Sequence, residues 1–124
     1  NRQTVLEENR DYIPKSVTEK IKHVKEHLLE DTEKRPGLRE LACEHGLSLT
    51  QLKTGFKQIY GETPYAYLKR YKMHRAAALL TETDKTVGDI AQESGYQNAS
   101  KFADAFRDVM GITPLQYRNK KENR

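Results

Sequence analysis

Two short clusters of side chains have the types and the spacing to do binding chemistry. Thr50, Gln51, Lys53, Thr54 and Lys57 form one, and Ser100, Lys101, Asp104 and Arg107 form the other. Residues three and four apart share one face of a helix, so each cluster can present hydroxyl, amide and charged groups in a single direction. Short polar and basic side chains of this kind suit hydrogen bonds to base edges and contacts to phosphate. A further basic group, Lys69, Arg70, Lys72 and Arg75, adds attraction for a polyanion.

Catalytic and metal chemistry find less support. Cys43 lacks a base and an orienting group that can be placed with it; His45 is too near in sequence, and small-residue packing accounts for Cys43 better. His23 and His27 have the i, i+4 spacing of a two-histidine metal face, but no third or fourth ligand accompanies them, so a solvated helix face is the expectation. No glycine-rich phosphate loop occurs. Tyr65, Tyr67 and Tyr71 could stack on single strands, yet at helical spacing they read as core or interface. No catalytic residue, metal or cofactor is expected.

The composition narrows the class. In 124 residues, 22 Lys and Arg stand against 18 Asp and Glu, a net of +4. That length suits one ordinary domain or two very small ones. No apolar run approaches the roughly 18–20 residues of a membrane span, and no signal-peptide core opens the chain. With Cys43 the single cysteine, a disulfide scaffold is excluded and an intracellular, cytoplasmic setting is expected. The charge is uneven: residues 1–52 carry −1, 53–75 carry +5, 76–100 carry −3 and 101–124 carry +3. The two basic segments could be two footprints on one polyanion, although charged runs on helices are more often solvated faces.

The elements that must position these groups all punctuate as helices. Ser16-Val-Thr-Glu19 has the spacing of a capping box, and Val17, Ile21, Val24 and Leu28 then share a face. Arg35-Pro36-Gly37 ends that segment. Leu38–His45 makes a short helix closed by Gly46; Ser48 caps a third, apolar at Leu49, Leu52, Phe56 and Ile59, which stops at Gly61. Thr63-Pro64 starts a longer helix to about Leu80, with Pro at the first position, where its missing N–H costs nothing. Thr86 opens a short helix ending at Gly95, Asn98–Met110 follows, and Thr113-Pro114 precedes a last turn.

The chain repeats itself. Leu38-Arg-Glu-Leu-Ala-Cys-Glu-His-Gly46 matches Val87-Gly-Asp-Ile-Ala-Gln-Glu-Ser-Gly95. Further on, Phe56 matches Phe106, Gly61 matches Gly111, Thr63-Pro64 matches Thr113-Pro114, and Tyr67 matches Tyr117. Chance would hardly align both glycine stops and both Thr-Pro starts in register. Each copy reads as a helix-turn-helix: Ala42 or Ala91 where two helices cross closely, Gly46 or Gly95 in the turn, and Leu52 and Phe56, or Phe102 and Phe106, as apolar anchors on the second helix. The polar clusters then face away from the core. A bundle whose corners serve only packing is the bland alternative. Two copies joined by a helix of about 25 Å can instead place two polar helices about one DNA turn, ~34 Å, apart in successive major grooves.

These residues resemble the DNA-binding domain of the AraC/XylS transcription regulators over about residues 17–118. The most specific part is Ala76-Ala-Ala-Leu-Leu80, Val87-x2-Ile90-Ala91-x3-Gly95-Tyr96, Phe102-x3-Phe106, Gly111-Ile-Thr-Pro114 and Tyr117-Arg118. Within the family, Leu52-Lys-x-Gly55-Phe56-Lys57 and Gly61-Glu-Thr-Pro64-Tyr65 look most like siderophore-type regulators. The resemblance implies an all-α fold of about seven helices, with two helix-turn-helix subdomains joined by a long linker helix. It implies a sequence-specific double-stranded DNA-binding domain of a transcription regulator, usually an activator, in a bacterial cytoplasm and at the nucleoid when bound. RNA polymerase is an implied partner. An effector would act only through an N-terminal domain that is not present, which agrees with a chain opening at Asn1 rather than Met. Family base-contacting positions carry over as Thr50, Lys53 and Thr54, and as Ser100, Lys101 and Asp104. Gln51, Lys57, Arg107, Lys69 and Lys72 are expected at phosphates.

Two residues depart from expectation. Asp104 stands where many members have Arg; a carboxylate could accept from cytosine N4 or simply repel phosphate. Gly55 costs about 1 kcal/mol inside a helix relative to Ala, which close approach to a neighbouring helix or to DNA would explain. The expected organisation is a tail at 1–15, a first subdomain at 16–62, a linker helix at 63–82, a second subdomain at 83–119 and a polar tail at 120–124. One rival reading is a protein-interaction module without DNA affinity. Another is a DNA-repair enzyme carrying this module, which would need a cysteine-rich metal site that one Cys cannot build.

Overall fold

The computed structural model describes residues 12–30 and 36–122, with side chains as far as residue 120. Most of the tail expected at 1–15, the Arg35 of the expected helix stop and the chain end therefore lie outside the described residues. Seven helices and no strand occur among the described residues: α1 Lys15–Glu30, α2 Leu38–Glu44, α3 Leu49–Tyr60, α4 Pro64–Glu82, α5 Val87–Glu93, α6 Ala99–Met110 and α7 Pro114–Glu122. They divide into two compact units, one from residues 12–28 and 36–64 and the other principally from residue 65 onward.

The helix starts follow local chemistry, with one correction. Ser16 does not cap α1. The amide of Thr18 donates to the Pro14 carbonyl at 3.0 Å, so the helix begins at Lys15 and Ser16 falls in its first turn. Ser48 does cap α3. Its hydroxyl accepts from the Gln51 amide at 3.0 Å, and the Gln51 side chain accepts from the Ser48 amide at 2.9 Å, satisfying two orphan donors reciprocally. Thr86 accepts from the Asp89 amide at 3.0 Å, and Asn98 from the amides of Ser100 and Lys101 at 2.8 and 3.2 Å. α7 carries a second reciprocal cap, between Thr113 and Gln116.

In the first unit, Ile21, Val24 and Leu28 of α1 are buried together with Leu41 and Ala42 of α2, Leu47 of the turn, and Leu52 and Phe56 of α3. Gly55 sits on the buried face of α3, where an added Cβ would overlap the δ-methyl of Ile21. The missing side chain of Gly55 is therefore explained by the close approach of α1. Lys25 of α1 adds a cation–π contact, its Nζ 5.7 Å from the Tyr60 ring centre.

The second unit has a more aromatic core. Met73, Ala76, Ala77 and Leu80 of α4 pack with Ile90 and Ala91 of α5 and with Phe102, Ala105 and Phe106 of α6. The long helix thus does more than connect, since its C-terminal half, from Met73 on, forms one wall of this core. Tyr96, Phe102, Phe106 and Tyr117 make a chain of rings with successive centroids 5.6–6.0 Å apart. Arg118 of α7 closes the unit. Its guanidinium donates to the carbonyls of Leu80 at 2.9 Å, Thr83 at 3.4 Å and Lys85 at 2.6 Å. Those carbonyls lie at and beyond the end of α4, where acceptors lack intrahelical partners.

Two stability predictions follow from this packing. Gly55→Ala gains about 1 kcal/mol of helix propensity but overfills the core, at about 1–3 kcal/mol, so urea unfolding should show a net loss. Adding Ile21→Val removes the overlapping methyl and leaves the next Ile21 atom at 3.7 Å; the double variant should be more stable than Gly55→Ala alone, and strict additivity would refute the contact. Arg118→Ala should lower unfolding stability by roughly 1.5–3 kcal/mol. Arg118→Lys should not restore it, because an ammonium cannot span three carbonyls as a planar fork does.

Candidate nucleic-acid interface

The helix-turn-helix turn is built identically in the two units. In the first, the Leu47 amide reaches back to the Ala42 carbonyl at 2.8 Å and the Gly46 amide to the Cys43 carbonyl at 3.2 Å. In the second, Tyr96 reaches Ala91 at 2.9 Å and Gly95 reaches Gln92 at 3.0 Å. These bonds close only if the chain turns left-handed, and Gly46 and Gly95 do so with φ of 69° and 85°, a region that a Cβ disfavours. The buried Ala42 and Ala91 allow the second helix to lie close across the first.

That geometry decides which side of each second helix meets solvent. On α3, Leu52, Gly55 and Phe56 face the core, whereas Thr50, Gln51, Lys53, Thr54 and Lys57 are all exposed. On α6, Phe102, Ala105 and Phe106 face inward, and Ser100, Lys101, Asp104 and Arg107 are exposed. Thr50, Lys53, Thr54 and Lys57 lie at i, i+3, i+4 and i+7, a single stripe along α3. The repeat places Ser100 where Thr50 stands, Asp104 at Thr54 and Arg107 at Lys57. Lys101 falls at the position of Gln51, and the half-buried Ala103 at that of Lys53. The α6 face is therefore shorter and carries a carboxylate at its middle.

Side-chain partners sort these groups further. The Gln51 side-chain oxygen is engaged by the Ser48 amide, so the donor capacity of this side chain lies in its NH2 group. Lys57 and Arg107 lie in the last turns of α3 and α6. Lys69 and Lys72, the other two expected phosphate contacts, have different surroundings. Lys72 is only 9% exposed, and Lys69 is paired with Asp108 of α6 at 3.2 Å. Both line a groove of about 260 Å³ with Tyr65, Leu68 and Tyr96. Arg70 lies over the Tyr67 ring, 5.5 Å from its centre. Part of the +5 of residues 53–75 is thus spent within the fold. Arg118, quoted in the sequence only as part of a motif, has its role in holding the end of α4.

Comparison with known proteins agrees with this architecture. The family described as "Helix-turn-helix domain" matches residues 41–120. The HTH-type transcriptional regulator ExsA of Pseudomonas aeruginosa is 33% identical over 85 residues, 68% of this chain and 31% of that protein. A transcriptional regulator of Chromobacterium violaceum, described as an AraC-type DNA-binding domain-containing protein, superposes with a TM-score of 0.70 at 26% identity, covering 86% of this chain and 91% of that one. The DNA-binding domain of AdpA, solved in complex with a target DNA, shares the fold at a TM-score of 0.76 and 22% identity, covering 83% and 93%. The chain spans between 14% and 37% of the length of the first curated relatives it matches. Among the described residues no helix is long and apolar enough to cross a membrane. With the family matched over most of the chain and both repeats folded as helix-turn-helix units, the chain belongs to the AraC-type helix-turn-helix family of DNA-binding domains of transcription regulators.

Proposed function

We propose that each unit lays its second helix in a major groove of duplex DNA, Thr50, Lys53 and Thr54 of α3 and Ser100, Lys101 and Asp104 of α6 meeting base edges. Gln51, Lys57 and Arg107 contact the flanking phosphates. The observation that carries this reading is the sidedness of α3 and α6. Every apolar anchor on them is buried, and every polar residue of the two clusters is exposed. A protein-interaction module needs no such paired polar faces, and membership of a DNA-binding family counts against it. Lys69 and Lys72 take a lesser part, because Asp108 and burial already engage them. Their phosphate contact would require rearrangement.

The whole protein is a transcription activator of the cytoplasm in this reading, with RNA polymerase as a further partner. An effector acts through sequence outside this chain, a division supported by the small share of its relatives that the chain spans. Asp104 accepts a hydrogen bond from cytosine N4, the one major-groove donor on a G·C pair.

Electrophoretic mobility shifts across a salt series test the docking. Lys57→Ala and Arg107→Ala should each weaken binding to all sequences alike and lower the log–log salt slope by about 1. An unchanged slope in the double variant would remove both residues from the phosphate interface. Thr54→Ala and Lys101→Ala should instead relax preference at individual base pairs, by about 1–3 kcal/mol at each position, as read by selection from a randomised duplex pool. Uniform weakening with the selected sequence intact would assign them to the backbone.

A further inference from the structure

A separate group of side chains gathers where α1 meets the first turn. His27 of α1, Glu44 at the end of α2 and His45 just beyond it each offer one ligand atom, and all three atoms lie within 4.8 Å of one another. The His27 Nδ1 is 3.2 Å from the His45 Nε2 and 3.4 Å from the Glu44 Oε2. Ligand atoms about 2.0–2.2 Å from a tetrahedral centre stand roughly 3.3–3.6 Å from each other, so these separations are close to the edges of a metal tetrahedron. Hydrogen bonding explains the cluster less well. Which ring nitrogen donates depends on the tautomer; with the proton on His27 Nδ1, the His45 nitrogen and the Glu44 carboxylate compete for it as acceptors.

We propose that His27, His45 and Glu44 form a divalent-metal site of the zinc class, with two imidazole nitrogens and one carboxylate oxygen as ligands. Imidazole and carboxylate donors together suit zinc and its borderline neighbours better than calcium or magnesium, which take oxygen ligands. The His27 and Glu44 side chains are 41% and 58% exposed, so the fourth position opens to water. The pair that sequence spacing offers, His23 with His27, is not the one assembled: His23 turns to Glu26 at 3.6 Å, and His27 meets residues 17 and 18 positions further along the chain. An ion here ties α1 to the end of α2, next to Gly46, and so stiffens the turn that orients α3. The assignment rests on this cluster alone and is independent of how the chain docks on DNA.

Zinc chloride titrated into the full 124-residue chain by calorimetry tests the site. The expected result is one saturable equivalent per chain, with a melting temperature raised by several degrees at saturation. Affinity should fall at least tenfold in His27→Ala and in His45→Ala, fall measurably in Glu44→Gln, and stay unchanged in His23→Ala. Circular dichroism establishes that each variant is folded. Proton NMR of the unaltered chain gives a readout that needs no variant, since zinc should shift the ring signals of His27 and His45 and leave those of His23 and His74 in place. Absence of saturable uptake would overturn the site. So would wild-type affinity in folded His27→Ala and His45→Ala, or perturbation of the His23 ring in place of His45.

Discussion

The fold depends on one tight closure made twice. A helix ends, a glycine enters the left-handed region, and the next amide returns to the carbonyl of an alanine five residues back: Leu47 to Ala42 and Tyr96 to Ala91. The constraint is steric and directional together. A side chain larger than methyl at the alanine would push the second helix away, and a Cβ at the glycine would oppose the turn. Once the turn closes, the direction of the second helix follows, and with it which of its side chains reach solvent. The polar faces of α3 and α6 are consequences of that closure.

Around the shared turn, the two units fill their interiors differently. The first brings α1 against α3 so closely that Gly55 has no room for a side chain beside Ile21. The second places Ala105 at the corresponding position and fills the space with a run of rings from Tyr96 to Tyr117. A mainly aliphatic core built around Phe56 with a glycine contact, and a more aromatic core with an arginine clasp, therefore support the same supersecondary unit. Packing density is the common requirement, and side-chain identity can vary where volumes compensate.

Electrostatics show a similar division of labour. The net charge of +4 says little until each cation is given a neighbour. Lys69 answers Asp108, Arg118 binds backbone carbonyls and Lys72 is buried. Lys53, Lys57, Lys101 and Arg107 keep exposed positions on α3 and α6. The cations open to a polyanion are thus fewer than the basic segments imply: besides these four, Arg70 and Arg75 of α4 are exposed.

The sequence by itself determined the repeat, the helix starts at Ser48, Thr86 and Asn98, the glycine turns, the apolar anchors and hence the family. All of these depend on interactions within a few residues, or on a pattern that recurs in register. It misplaced the start of α1, because Ser16 carries the spacing of a cap while the carbonyl of Pro14 takes the first helical bond. Tertiary structure alone decided the rest. Gly55 is explained by Ile21, 34 positions away; Lys69 is engaged by Asp108, 39 positions away. The metal-ligand geometry at His27 arises from Glu44 and His45 rather than from His23. Contacts of that range are invisible to periodicity and motif spacing, because they exist only once the helices have packed.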